Sequence, residues 1–134
     1  MNSLVVNPPE LRKTAGYNHA VVRDGIPVFL TGQVSWDLEG TVVGVGDIAT
    51  QARQAWSNVN ALVAALGATR EDIVKITTYV TDIAHLPAVG AAKQEQFAGA
   101  TMPASTFVVV RELASADLLV EIEAIVMVAG RKAS

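Results

Sequence analysis

The run LLVEIEAIVMV at residues 118–128 constrains the fold more than any other stretch of this chain. Eight of its eleven residues are strongly apolar and several are β-branched, so it reads as a buried strand. Side chains alternate along a strand. Glu121 and Glu123 therefore share one face with Ile125 and Met127, while Val120, Ile122, Ala124 and Val126 take the other. The second set is wholly apolar and belongs to the core. The first must pack on a partner or enclose a cavity. Its two carboxylates would stand roughly 7 Å apart along the strand. Burying either one unpaired costs on the order of several kcal/mol, or raises its pKa until it is neutral. Periodicity alone leaves two readings open. Solvent, Lys, Arg or backbone N–H groups at a subunit edge satisfy both carboxylates, or one of them is a general acid/base or water-orienting group in an interfacial cleft.

The rest of the chain supplies partners for this strand. HAVVRDGIPVFLTGQ reads as a hairpin, with strands near 18–23 and 27–32 and turn chemistry in DGIP. Asp47 is a candidate N-cap. Ile48, Ala52, Ala55, Val59, Leu62 and Leu66 then recur at helical spacing, and Gly67 stands where a C-terminal cap belongs. Gln51, Arg53, Gln54 and Asn58 fall mainly on the opposite side. DIVKITTYVTD predicts a strand over 73–80, and 83–98 a weaker helix, with Pro87 tolerable in its first turn. ASTFVVV is a further strand. Residues 1–16, with NPPE inside them, are expected to be irregular. The order is β-β-α-β-α-β-β in one domain over 1–134, an α+β layer with two helices on one face of a mixed sheet. No further helix is left to cover the other face, so another subunit is the natural cover.

The net charge of −3 and the absence of a basic stripe disfavour nucleic acid as a partner. There is no cysteine, which excludes disulfides, thiolate metal sites and a cysteine nucleophile. The only histidines, His19 and His85, are far apart in sequence, so no metal site is expected. No apolar run approaches the ~18 residues of a membrane span, and the N-terminus lacks a signal-peptide layout. The expected location is the cytoplasm.

VFLTGQ (28–33), QARQAWSNVNALVAALGA (51–68), DIVKITTYVTD (72–82), MPAST (102–106) and VEIEAI (120–125) stand in one order and spacing. In this the chain resembles the RidA/YjgF family of reactive-intermediate deaminases, also called the L-PSP group. The resemblance covers about residues 15–128. It implies a chorismate-mutase-like protomer and a homotrimer with a central barrel and three interfacial clefts. Type members hydrolyse 2-imino acids there without metal or cofactor. An arginine of their PAR-[ST] motif clamps the substrate carboxylate, a glutamate of EIEA handles protons and water, and a tyrosine and an SGQ-like turn complete the pocket. By this resemblance the glutamate is Glu121, the tyrosine Tyr17, and the turn Thr31, Gly32 and Gln33.

The arginine position is Ser105, a departure from the family pattern. Thr106 and Phe107 follow, the latter an aromatic where relatives often carry a small side chain, and Gly90 replaces a common asparagine. Serine offers neither positive charge nor a planar fork. Losing that charge-assisted contact is worth on the order of 2–5 kcal/mol, or roughly thirtyfold to several thousandfold in binding. Simple 2-imino acids are therefore expected to be poor substrates. Arg111 lies six residues beyond Ser105, roughly 20 Å along a strand, too far to substitute within one subunit. An arginine of a neighbouring chain is the alternative.

Ser105 has no neighbouring base in sequence, which disfavours a nucleophilic role. Trp36, just past TGQ, is a candidate for the cleft rim, and Trp56 a packing residue. The expected function is an imine, enamine or amide-type deaminase or hydrolase acting on a small metabolite. The alternative is a non-catalytic ligand-binding or regulatory trimer. Ribonuclease activity, as claimed for some relatives, is disfavoured by the acidic charge.

Overall fold

The computed structural model describes residues 4–130. Residues 1–3 of the expected irregular segment and 131–134 of the expected domain lie outside them. A small sheet pairs β1 (Leu4–Val6) antiparallel with β2 (Ala20–Val22). The main sheet holds β3 (Ile26–Phe29), β4 (Ile73–Val80), β5 (Ala104–Val109) and β6 (Val120–Val128) in the order β3-β6-β4-β5. Its β4–β5 pair is parallel and its other two pairs are antiparallel. Helices α1 (Ile48–Ala65) and α2 (Leu86–Gln96) contribute their apolar stripes to one core with Ile76, Val80, Val120, Ile122, Ala124 and Val126. This is the expected two-helix layer on a mixed sheet.

Two expectations are corrected. The N-terminal segment is not wholly irregular, because Leu4–Val6 forms a strand ahead of the prolines. The hairpin is also absent: β2 pairs with β1, and β3 joins the main sheet beside β6. Gly25 turns the chain between them at φ 134, and a Cβ there would lie 2.5 Å from the Val128 carbonyl oxygen. Arg23 just before the turn is held by Asp72, with 2.6 Å between Nη2 and Oδ1.

The helix ends follow their sequence signals. Asp47 caps α1 by accepting from the Thr50 N–H at 3.1 Å and the Thr50 hydroxyl at 2.7 Å. These bonds hold the Asp47 carboxyl below its ordinary pKa. Gly67 follows the helix in the left-handed region, φ 68, which glycine adopts without a Cβ clash. A 3-10 turn, Ile83–His85, leads into α2, and Pro87 sits in its first turn. Trp56 and Phe97 meet edge to face at 5.4 Å between α1 and the end of α2.

Gln51 is not on the solvent side of α1. It is fully buried. Its Nε2 donates to Gly44 O at 3.1 Å and Asp117 O at 2.8 Å, and its Oε1 accepts from the Leu119 N–H at 2.8 Å. One amide thus ties α1 to the loop before it and to the entry of β6. Asn58, on a neighbouring stripe, donates to Val34 O and Trp36 O at 2.9 and 3.0 Å, fixing the loop after β3.

Candidate functional site

The alternation along β6 holds in the fold. Val120, Ile122, Ala124 and Val126 are buried, whereas Glu121, Glu123 and Ile125 are half-buried on the other face. Strand register then builds that second face row by row. Tyr79 lies opposite Glu121, Thr77 opposite Glu123, and Lys75 opposite Ile125. Beyond them on β5 stand Val108, Thr106 and Ala104. A break in the β4–β6 register between Ile73 and Lys75 brings Lys75, Thr77 and Tyr79 onto this face.

Polar groups on the face engage one another. The Tyr79 hydroxyl donates to Glu123 Oε1 at 2.7 Å. That bond, with some desolvation and the charges of Glu123 and Glu121, raises the Tyr79 pKa. The Lys75 ammonium donates to Thr106 Oγ1 at 2.6 Å. Phe29, Lys75, Thr77, Glu123 and Ile125 surround a hollow of about 220 Å³. The sequence reading missed Lys75, Thr77 and Tyr79. Their signal was the polar alternation in KITTY, hidden by the bulge.

Glu121 is placed by the turn after β3. Leu30 donates to Ala124 O at 3.0 Å, and Gln33 exchanges two backbone bonds with Ile122 at 2.8 and 3.0 Å. Three steps from Leu30 to Gln33 thus face two steps from Ala124 to Ile122. The extra residue bulges the chain at Thr31 and Gly32. Gly32 passes so close to Glu121 that a Cβ there would lie 2.2 Å from Oε2. The Glu121 carboxylate thus lies directly against the backbone of Gly32 and would have to shift for a side chain there.

Within one protomer, alternation places Ser105, Thr106 and Phe107 on two faces of the sheet. Thr106 shares the Glu121 face. Ser105 and Phe107 pair with Ile76 and Thr78, whose side chains point to the helix-covered face, and Phe107 packs against the core. Within one protomer, Ser105 and Glu121 thus lie on opposite sides of the sheet. Arg111 lies past the end of β5.

Tyr17 precedes a residue tied to the entry of β5. Its neighbour Asn18 donates from the backbone to Pro103 O at 3.2 Å and from Nδ2 to Met102 O at 2.7 Å. Glu71 steadies the same segment by accepting from the Thr101 hydroxyl and from its N–H at 2.9 Å, which holds the Glu71 carboxyl low. Tyr17 meets His19 edge to face at 5.4 Å, and His19 Nε2 donates to Arg12 O at 2.7 Å. Trp36 lines a shallow hollow with Gln33, Leu38 and Asn58. The protomer thus separates Glu121 and the Thr31–Gly32 bulge from Ser105, beside whose strand the Tyr17–Asn18 segment is tied.

Among the described residues, no group of three or more His, Asp or Glu side chains is placed to hold a metal ion, and no helix is long and apolar enough to cross a membrane.

Comparison with known proteins gives a consistent result. The profile of a family described as Endoribonuclease L-PSP matches residues 8–128. A RutC family protein of Synechocystis is 34% identical over 110 residues, 81% of this chain and 83% of that protein. A 2-iminobutanoate/2-iminopropanoate deaminase of Dermatophagoides farinae is 31% identical over 92% of this chain and 95% of its own. Among solved structures, the Rid family protein YyfB of Yersinia pestis, itself of unknown function, superposes with a TM-score of 0.89 at 34% identity, covering 96% of this chain and all of that one. Escherichia coli TdcF with bound serine gives 0.72 at 31% identity, covering 87% of this chain and 91% of its own. With the family profile matching residues 8–128 and relatives above 30% identity covering most of the chain, the protein belongs to the RidA/YjgF (L-PSP) family.

Proposed function

We propose that this protein is a deaminase or hydrolase of small imines or enamines, with Glu121 as its proton-handling carboxylate. The observation that carries this reading is the fit of Glu121 against Gly32, where a Cβ would strike Oε2 at 2.2 Å. The contact sets one carboxylate of β6 directly against the turn after β3. Relatives named as 2-iminobutanoate/2-iminopropanoate deaminases supply the reaction class.

In this reaction water adds to the C=N carbon while the nitrogen gains a proton. The resulting carbinolamine then expels ammonia and leaves a carbonyl. Glu121 takes the proton from the water and returns it to nitrogen. The working cleft joins the Glu121 half of one copy to the Tyr17 and Ser105 half of another, in a homotrimer. This arrangement is supported by the division of Glu121 and Ser105 between two sides of one sheet. It is also supported by Phe29, 73% exposed beside Ile125 on the glutamate face. Ser105 leaves the carboxylate of a 2-imino acid without a bidentate partner. The chain is therefore slower on 2-iminobutanoate and 2-iminopropanoate than relatives that carry the arginine.

The test is ammonia release from these two imines, freshly generated, by native protein and Glu121→Gln. Release above the uncatalysed rate should vanish in the variant. An unchanged rate in Glu121→Gln removes Glu121 from the mechanism. A second reading, a non-catalytic ligand-binding trimer, is favoured by Ser105. It requires ligands that raise the Tm and are never consumed.

A further inference from the structure

Lys93 on α2 is half-buried, and among the described residues its ammonium has no ion-pair or hydrogen-bond partner. A lysine in that position normally has an acid beside it or extends fully into water. The nearest acid on the helix, Glu95, instead faces Arg53 of α1 at 3.9 Å. Burial lowers the Lys93 pKa, as expected for a cation without a counter-charge.

Its surroundings tie it to the Ser105 half-site. The N-terminal segment crosses it at Gly16, where an added Cβ would lie 3.9 Å from Lys93 Nζ. Tyr17 comes next, and Asn18 is bonded to Met102 and Pro103, two residues short of Ser105. Lys93 and the start of β5 thus flank one three-residue stretch with Tyr17 at its centre. One turn back on the same face of α2 stands Gly90, and a Cβ there would meet no heavy atom within 4 Å. The position has open space beside a cation that nothing in the described chain neutralises.

We infer that Lys93 is the anion-binding group of the Tyr17–Ser105 half-site, and that its ligand is a small monocarboxylate. This rests on the reading of that half-site as part of the working cleft. Ser105 removes the fork that would grip a carboxylate at two points. Lys93 offers a single, mobile point charge from the adjoining helix, so the anion is held more loosely and by a different element.

Calorimetric titration with pyruvate, and with pyruvamide as its uncharged counterpart at matched ionic strength, tests the assignment. Native protein should bind pyruvate more tightly than pyruvamide. Lys93→Met, an uncharged, unbranched side chain one atom shorter, should lose at least tenfold in pyruvate affinity and leave pyruvamide unchanged. Lys93→Arg should retain the preference. Equal pyruvate affinity in native and Lys93→Met overturns the proposal, and so does a native protein that binds no pyruvate. Glu121→Gln separates this claim from the catalytic one. If it loses turnover while Lys93→Met binds pyruvate normally, Lys93 is wrong and Glu121 stands. If Lys93→Met loses pyruvate while Glu121→Gln keeps full turnover, the carboxylate site stands and the catalytic assignment falls.

Discussion

The Tyr79 hydroxyl donates to Glu123 at 2.7 Å, although the residue directly opposite Tyr79 in the β4–β6 ladder is Glu121. The ring leans diagonally across the sheet and engages one carboxylate, leaving the other to the Gly32 bulge. The two glutamates of EIEA are thereby given different partners.

That diagonal bond makes stability depend on pH at the alkaline end. Glu123, as hydrogen-bond acceptor, raises the Tyr79 pKa above its ordinary value of 10.0. The stabilisation is fully present below about pH 10, where the unfolded tyrosine is still protonated. It is lost as pH rises through the folded-state value. Native protein should therefore show a steeper fall in Tm above pH 10 than Tyr79→Phe. Parallel Tm curves for the two would mean the bond contributes nothing.

Gly32→Ala should impair the site without unfolding the chain. Gly32 has no positive φ, so alanine meets no backbone penalty. Its Cβ instead meets Glu121 Oε2 at 2.2 Å and must displace the carboxylate. Turnover should fall at least tenfold, on the scale of a misplaced catalytic group, with the Tm nearly unchanged. Full activity in the alanine variant would show that Glu121 does not need its present position.

Gln51→Leu should be among the most destabilising single changes in α1. The leucine fits the volume but leaves the Leu119 N–H and the Asp117 carbonyl without the partners they now have at 2.8 Å. Unsatisfied buried groups of this kind cost roughly 2–4 kcal/mol together. Urea unfolding reads the change directly. A loss under about 0.5 kcal/mol would mean that water replaces the amide.

Gln51 also marks a limit of what the sequence discloses. The apolar stripe of α1, its Asp47 cap and the Gly67 stop were legible, because each is a local signal with a local cause. Gln51 looked like a solvent residue because its acceptors lie in the loop before the helix and at 117–119, and periodicity carries no trace of them. The same holds for strand pairing. DGIP suggested a hairpin, yet the partner of β2 is the distant Leu4–Val6. The β6 faces were correctly read because an alternation of two needs no partner to define it. Relative faces on different strands were not. Ser105 and Glu121 stand on opposite sides of the sheet only because of the β4–β5 and β4–β6 registers. Tyr79 and Lys75 were hidden by the bulge at the start of β4.

Ammonia release from freshly generated 2-iminobutanoate, compared across native protein, Ser105→Arg and the Ser105→Arg/Glu121→Gln double variant, tests the central claim most directly. A split cleft with a lost clamp predicts slow native turnover, a gain of at least tenfold in Ser105→Arg, and its disappearance when Glu121 is also replaced. No gain in Ser105→Arg, or a gain that survives the loss of Glu121, would contradict a shared site built from these two residues.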